Sequence, residues 1–183
     1  SRIDTLTDRD GRVTTIERDG FGRATAVVGP YGHRTELALD ANGYLGSVTQ
    51  PTGAAWHMTY DHGLITSFTN PNGHSSTLTY DPNGRLSSDS DPGGGSKSFV
   101  RTNLEDGWLV TESTAMGRTT LFQTTRSPDG TERLQITHPN GLVSTSTTDA
   151  TTAVFGEMPN GVTTSWQASA DPRFGLLSPL GAM

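Results

Sequence analysis

The chain reads as an all-β, antiparallel meander of repeated hairpins. Three observations carry that reading: evenly spaced glycines, turn-forming residues before them, and a period-two apolar pattern between them. Gly11, Gly22, Gly32, Gly43, Gly53, Gly63, Gly73, Gly84 and Gly94 follow one another at steps of 10 or 11 residues. Gly107, Gly117, Gly130 and Gly141 continue at steps of 10 to 13. Such spacing leaves room for one strand of about 5–7 residues between turns and too little for an ordinary helix.

The turns alternate between two kinds, so the repeating unit is about 21 residues long. One kind is Pro30-Tyr31-Gly32, Pro51-Thr52-Gly53, Pro71-Asn72-Gly73 and Pro92-Gly93-Gly94, continued by Pro139-Asn140-Gly141 and Pro159-Asn160-Gly161. The other is Asp40-Ala41-Asn42-Gly43, Asp61-His62-Gly63 and Asp81-Pro82-Asn83-Gly84, with Asp106-Gly107 and Asp129-Gly130 resembling it. Proline presets φ for the first corner, Asn or Asp suits the next, and glycine supplies the left-handed residue that closes the hairpin. Positive φ is expected above all at Gly73 and Gly84, where Pro-Asn precedes each.

Between the turns, Trp56, Met58 and Tyr60 share one face of a strand, and His57, Thr59 and Asp61 share the other. Leu37 with Leu39 and Leu78 with Tyr80 repeat the phase one unit away, which predicts a buried apolar layer. After each Asp turn the apolar residues fall three apart, Leu45 with Val48 and Ile65 with Phe68. A regular strand would put such a pair on opposite faces, so a bulge is expected in each.

Composition agrees. Only 31% of residues are hydrophobic and 17% charged, while Thr and Ser make up about a quarter, as suits sheets with one wet face. A net charge of −6 with no basic stripe argues against a nucleic-acid interface. No apolar run is long enough to span a bilayer as a helix, and no cysteine is present for disulfides or thiolate zinc sites. Residues 1–170 form one hairpin-repeat domain in this reading, regular over 1–100 and degenerate over 100–170. Residues 171–183, with Pro172 and Pro179, are expected as a loop or a junction to a following module.

Thr59-Tyr60-Asp61-His62-Gly63-Leu64 and Thr79-Tyr80-Asp81-Pro82-Asn83-Gly84-Arg85-Leu86 resemble the tyrosine-aspartate (YD) repeats of the rearrangement-hot-spot (RHS) family. Ala38-Leu39-Asp40-Ala41-Asn42-Gly43-Tyr44-Leu45 and Leu6-Thr7-Asp8-Arg9-Asp10-Gly11-Arg12-Val13 keep parts of the motif. The resemblance implies a β-ribbon that spirals into part of a hollow shell, as in bacterial polymorphic toxins, toxin-complex encapsulating proteins and teneurins. It further implies a secreted or cell-surface bacterial protein, non-enzymatic in this segment, whose shell encloses or carries a toxin or effector domain. Ser178-Pro179-Leu180-Gly181 lacks the aspartate of the family's self-cleaving end, so no protease residue is carried over.

Turn chemistry competes with each candidate site. His57, Asp61 and His62 could ligate a metal, but side-chain hydrogen bonding to turn amides accounts for Asp61, and no metal or cofactor is assigned. The Asp81-x-Asn83-Gly84 turn lacks the ligand series of a calcium loop. Asp89, Asp91, Glu105 and Asp106 are expected as solvated turn charges, and His33, His74 and His138 as solvated neighbours of turns. Gly93-Gly94-Gly95 is followed by no phosphate-binding helix. Trp56, Trp108 and Trp166 suggest a sugar platform, although Trp56 belongs to the apolar face. Tyr31 and Tyr44, in or beside turns, are the candidate contacts for an alternative role as a glycan- or cell-surface-binding module. Partners are expected at two open sheet edges, Ser1–Asp8 and Val162–Ala168, which would pair with other parts of the parent polypeptide or with other copies.

Overall fold

The computed structural model describes residues 2–151, 153–171 and 175–182, the last stretch as backbone. They divide into two compact units at Gly94/Gly95, and among them there is no helix. Unit 1 carries β1 (Thr5–Thr7), β2 (Val13–Arg18), β3 (Ala24–Val28), β4 (Arg34–Leu39), β5 (Leu45–Thr49), β6 (Ala55–Asp61), β7 (Leu64–Thr69), β8 (Ser75–Tyr80) and β9 (Leu86–Ser90). Unit 2 carries β10 (Ser96–Asn103), β11 (Gly107–Thr114), β12 (Thr119–Arg126), β13 (Glu132–Thr137), β14 (Val143–Thr148), β15 (Ala153–Glu157), β16 (Thr163–Asp171) and β17 (Gly175–Ala182). Within each unit every strand pairs antiparallel with the next, so both are all-β meanders.

The expected bulges are present. Tyr60 pairs with Ile65 and Thr59 with Ser67, which leaves Thr66 as the extra residue. Gly46 and Ser87 take the same place in β5 and β9, and Thr25 in β3. Inserting one residue puts Ile65 and Phe68 on one face, opposite Tyr60 and Met58, and turns Thr66 and Ser67 together to the other. At the β7 and β9 bulges the facing threonine meets both hydroxyls. Thr59 Oγ1 lies 2.9 Å from Thr66 Oγ1 and 2.7 Å from Ser67 Oγ, and Thr79 Oγ1 lies 2.8 Å from Ser87 Oγ and 2.6 Å from Ser88 Oγ.

The strand phase is as expected, with Trp56, Met58 and Tyr60 half-buried and His57, Thr59 and Asp61 exposed. The apolar layer is not buried, however: among the described residues only Ala26 is a fully buried hydrophobic, and Phe68, opposite Met58, keeps 39% of its surface exposed. Among the described residues each strand of a unit contacts only its neighbours in sequence, so no second layer packs on the apolar face.

Turn geometry explains most of the glycine pattern. Gly73 has φ 80° and Gly84 φ 75°, a region where a Cβ is disfavoured. Gly107 departs from the expectation. It lies in β11 without positive φ, and a Cβ there would stand 1.9 Å from the Thr124 carbonyl oxygen, so its role is close strand approach. Gly161, at φ 79°, takes its expected place in the Pro turn series.

Two further expectations are corrected. The Val162–Ala168 stretch is no edge: β16 pairs with β15 on one side and β17 on the other. The segment from 171 is not simply a loop, since Gly175–Ala182 forms β17 and returns along β16. Its register shifts between Ser169 and Asp171, so Pro179 falls in an irregular stretch where no ladder amide is needed. Residues 172–174 of the proposed junction lie outside the described residues.

Candidate functional site

The repeat produces the same joint at the Asp8, Asp19, Asp40 and Asp81 turns of unit 1. In the Asp81 turn, Gly84 N–H donates to the Asp81 carbonyl at 2.9 Å and Asp81 N–H to the Arg85 carbonyl at 2.8 Å. The Asp81 carboxylate accepts the amides of Asn83 at 2.8 Å and Arg85 at 2.9 Å. Asp8, Asp19 and Asp40 cap their turns in the same way, and Asn70 does so in a Pro-type turn. These amides hold the carboxyls of Asp19 and Asp81 below the ordinary carboxylate value, led by the Arg23 and Arg85 backbone N–H groups respectively. In unit 2, Asp149 is held low chiefly by the Thr151 side chain and Asp129 by the Thr131 amide.

The Asp61 turn is built differently. Only His62 and Gly63 lie between the paired residues Asp61 and Leu64, and both have positive φ, 49° and 85°. Two left-handed residues suit a tight hairpin. The Asp61 carboxylate therefore sits 2.7 Å from His62 Nδ1, on an exposed turn, rather than on the turn amides as expected.

Between successive hairpins of unit 1, as at β3–β4, β5–β6 and β7–β8, the strands pair only beside the Pro turns. β7 and β8 are paired from Ser67–Thr69 to Ser75–Thr77, and β5 and β6 from Ser47–Thr49 to Ala55–His57. Toward the Asp turns that ladder stops, and the tyrosine of the motif reaches across. Tyr80 Oη donates to the Ile65 carbonyl at 2.7 Å, and Tyr60 Oη to the Leu45 carbonyl at 3.0 Å. A hydroxyl thus replaces a missing ladder amide, while the aromatic ring remains on the apolar face. Leu39 holds the equivalent place one unit earlier and has no hydroxyl to give. A cleft of about 500 Å³ remains between the Asp61 and Asp81 turns, with Leu64, Thr66, Leu78, Tyr80 and Pro82 among its lining. The tyrosine strut was not legible beforehand, because a recurrent Tyr on an apolar face looks the same whether or not its hydroxyl is used.

The candidate contact residues do not converge. Tyr31 is 73% exposed in the turn before β4, and Tyr44 lies in the turn after it, so a whole strand separates them. Tyr44 stacks on Tyr60 with ring centroids 5.1 Å apart. Its hydroxyl lies 3.1 Å from where a Gly63 Cβ would stand, so the residue after one turn packs on the glycine of the next. Leu64 stands in the same relation to Gly84, at 3.7 Å.

Each tryptophan has its own surroundings. Trp56 sits opposite Val48 in β5, and Trp108 is covered by Arg101 and Arg126, whose guanidinium carbons lie 4.5 and 4.9 Å from its ring centre. Trp166 is 42% exposed on β16. His138 is half-buried, its Nε2 at 2.9 Å from Ser144 Oγ, and so is not simply solvated. Asp89 lies in β9 opposite Leu78 rather than in a turn. Among the described residues no three His, Cys, Asp or Glu side chains gather as metal ligands, and no helix is long and apolar enough to cross a membrane.

Residues 60–96 match the RHS Repeat family model, a stretch that holds the Tyr60 and Tyr80 joints and the turns around them. No curated protein sequence matches the chain. Among solved structures, the Photorhabdus luminescens Tc holotoxin pore is similar at 12% identity and a TM-score of 0.44, over 96% of this chain and 10% of that one. The crystal structure of TcdB2-TccC3-TEV is similar at 10% identity and a TM-score of 0.27, over 93% of this chain and 14% of that one. The chain thus spans a small part of the length of either.

Proposed function

We propose, from the RHS repeat at residues 60–96, that this chain is a non-enzymatic structural segment of a larger, secreted or surface-exposed bacterial RHS-type protein. Its hairpins form part of a β-shell that encloses or carries a toxin or effector domain. The observation that carries this reading is the pairing of a regular RHS joint with an apolar face left half-open: Trp56, Met58, Tyr60, Leu78 and Tyr80 all lie on it and none is fully buried. A domain built to stand alone would cover such a layer, whereas a wall segment leaves it for the rest of the wall or its contents. The remaining parts of the parent polypeptide, or other copies, are the first partners, through open sheet edges.

Limited proteolysis of the parent polypeptide tests this. With the segment intact, the carried domain should resist protease while the wall is folded. Excising the hairpin from Leu64 to Tyr80 should make that domain cleavable without changing its own stability. Equal cleavage in both forms would remove the enclosing role.

A further inference from the structure

Five Asn-Gly pairs occur in this chain, all at the same place in a turn: Asn42-Gly43, Asn72-Gly73, Asn83-Gly84, Asn140-Gly141 and Asn160-Gly161. Four of them are preceded by proline and so share their local sequence. Asn-Gly is the pair most open to deamidation, because glycine offers no side chain to hinder attack on the neighbouring amide. Each of the four asparagines is exposed.

The turns that hold them are of two kinds. In unit 1 the first turn residue is an acceptor: Asn70 Oδ1 takes the amides of Asn72 at 2.9 Å and His74 at 3.1 Å, and Asp81 takes those of Asn83 and Arg85. In unit 2 that position holds His138 or Met158, and the asparagine itself takes the amide two residues on. Asn140 Oδ1 accepts from Leu142 N–H at 3.1 Å and Asn160 Oδ1 from Val162 N–H at 3.2 Å. We propose that Asn140 and Asn160 are the sites at which the folded chain deamidates, and that the capped turns protect Asn72 and Asn83.

The chemistry follows from the contacts. In all four turns the glycine N–H donates to the carbonyl three residues back, at 2.8 to 2.9 Å, so the turn must open before that nitrogen can attack. Two cap hydrogen bonds resist opening at Asn72 and Asn83. At Asn140 and Asn160 the hydrogen bond from the following amide polarises the side-chain carbonyl and closes a ring that contains the glycine nitrogen. On opening, Gly141 N loses its proton to solvent base and bonds to Asn140 Cγ, and ammonia leaves. Water then opens the succinimide to aspartate or isoaspartate. Isoaspartate carries an extra methylene in the main chain, which breaks the His138–Leu142 closure of the β13–β14 hairpin or its Met158–Val162 counterpart between β15 and β16. Chemical ageing is thereby directed to unit 2.

Peptide mapping by mass spectrometry, after incubation of the whole chain at mildly alkaline pH, tests the assignment. Asn140 and Asn160 should convert at least about five-fold faster than Asn72 and Asn83, the factor one ordinary hydrogen bond supplies, and the gap should close in urea. Met158→Asp, at an exposed position, should slow Asn160, and Asp81→Ala should speed Asn83. A native ratio no larger than the ratio in urea overturns the proposal, as does an Asn160 rate unchanged by a folded Met158→Asp variant.

Discussion

The Tyr80 hydroxyl donates to the Ile65 carbonyl across a gap where β7 and β8 have ceased to pair, and Tyr60 repeats this contact with Leu45. Tyrosine in the motif is therefore both an apolar residue and a substitute for a backbone donor. Tyr80→Phe keeps the ring and removes the donor, leaving a half-buried carbonyl without it. Thermal or urea unfolding should show a loss of about 1 kcal/mol. Tyr31→Phe, at an exposed turn, should be neutral, and equal effects would deny the strut.

Turn glycines and strand glycines should respond differently to added bulk. Gly84→Val must place a β-branched residue at φ 75° and should cost about 1–2 kcal/mol, while Arg85→Val should change stability little. The comparison by urea unfolding is local to one hairpin. Equal losses would mean that the left-handed conformation is not what the glycine provides.

Gly107→Ala should be worse than Gly117→Ala. The first puts a methyl group 1.9 Å from the Thr124 carbonyl oxygen, and the β11–β12 ladder must part to admit it. The second meets nothing within 4 Å and strains only its own φ of 72°. A loss of about 3 kcal/mol is expected for Gly107→Ala against about 1 for Gly117→Ala. Hydrogen exchange in β11 and β12 should rise only in the former.

Acid should loosen the Asp turns. The folded-state carboxyls of Asp19, Asp81, Asp129 and Asp149 lie below their ordinary value of 3.8. Their stabilisation is thus complete above that value and is lost as pH falls through the folded one. Asn70 already caps its turn without titrating, so Asp81→Asn should hold the turn and flatten the pH dependence. Melting temperatures measured from neutral pH downward should converge for the two proteins in acid. A parallel decline would assign the acid sensitivity elsewhere.

Strand phase offers a further test. Met58→Asp places a charge on the half-buried face against Phe68 and should cost about 1–2 kcal/mol, whereas His57→Asp on the hydroxyl face should be nearly silent. The cost for Met58 is smaller than a sealed core would impose, because water reaches this face. Equal losses in urea unfolding would reverse the phase.

Local chemistry in this chain was legible and neighbourhood was not. The Ile65–Phe68 spacing fixed a bulge because only an extra residue reconciles it with one face, and the structure supplies Thr66. Pro-Asn before Gly84 fixed a left-handed turn for the same reason of local sterics. Gly107 misled because a glycine needed for close approach to Thr124 has the same spacing as one needed for a turn. Val162–Ala168 misled because prolines downstream hid a strand that pairs around them. Burial was overestimated on the Met58 face, since alternation shows which residues share a side and not whether anything lies upon it. Of the candidate contacts, Tyr44 is engaged with Tyr60, a partner sixteen residues on that no local pattern reveals.

At two Asp turns the residue after the glycine acts as a spacer toward the following Asp turn, Tyr44 against Gly63 and Leu64 against Gly84. Its width sets how far one hairpin tip stands from the next, while the ladder beside the Pro turn keeps its register. A lineage could therefore alter the spread of the tips one side chain at a time and leave every paired strand as it was.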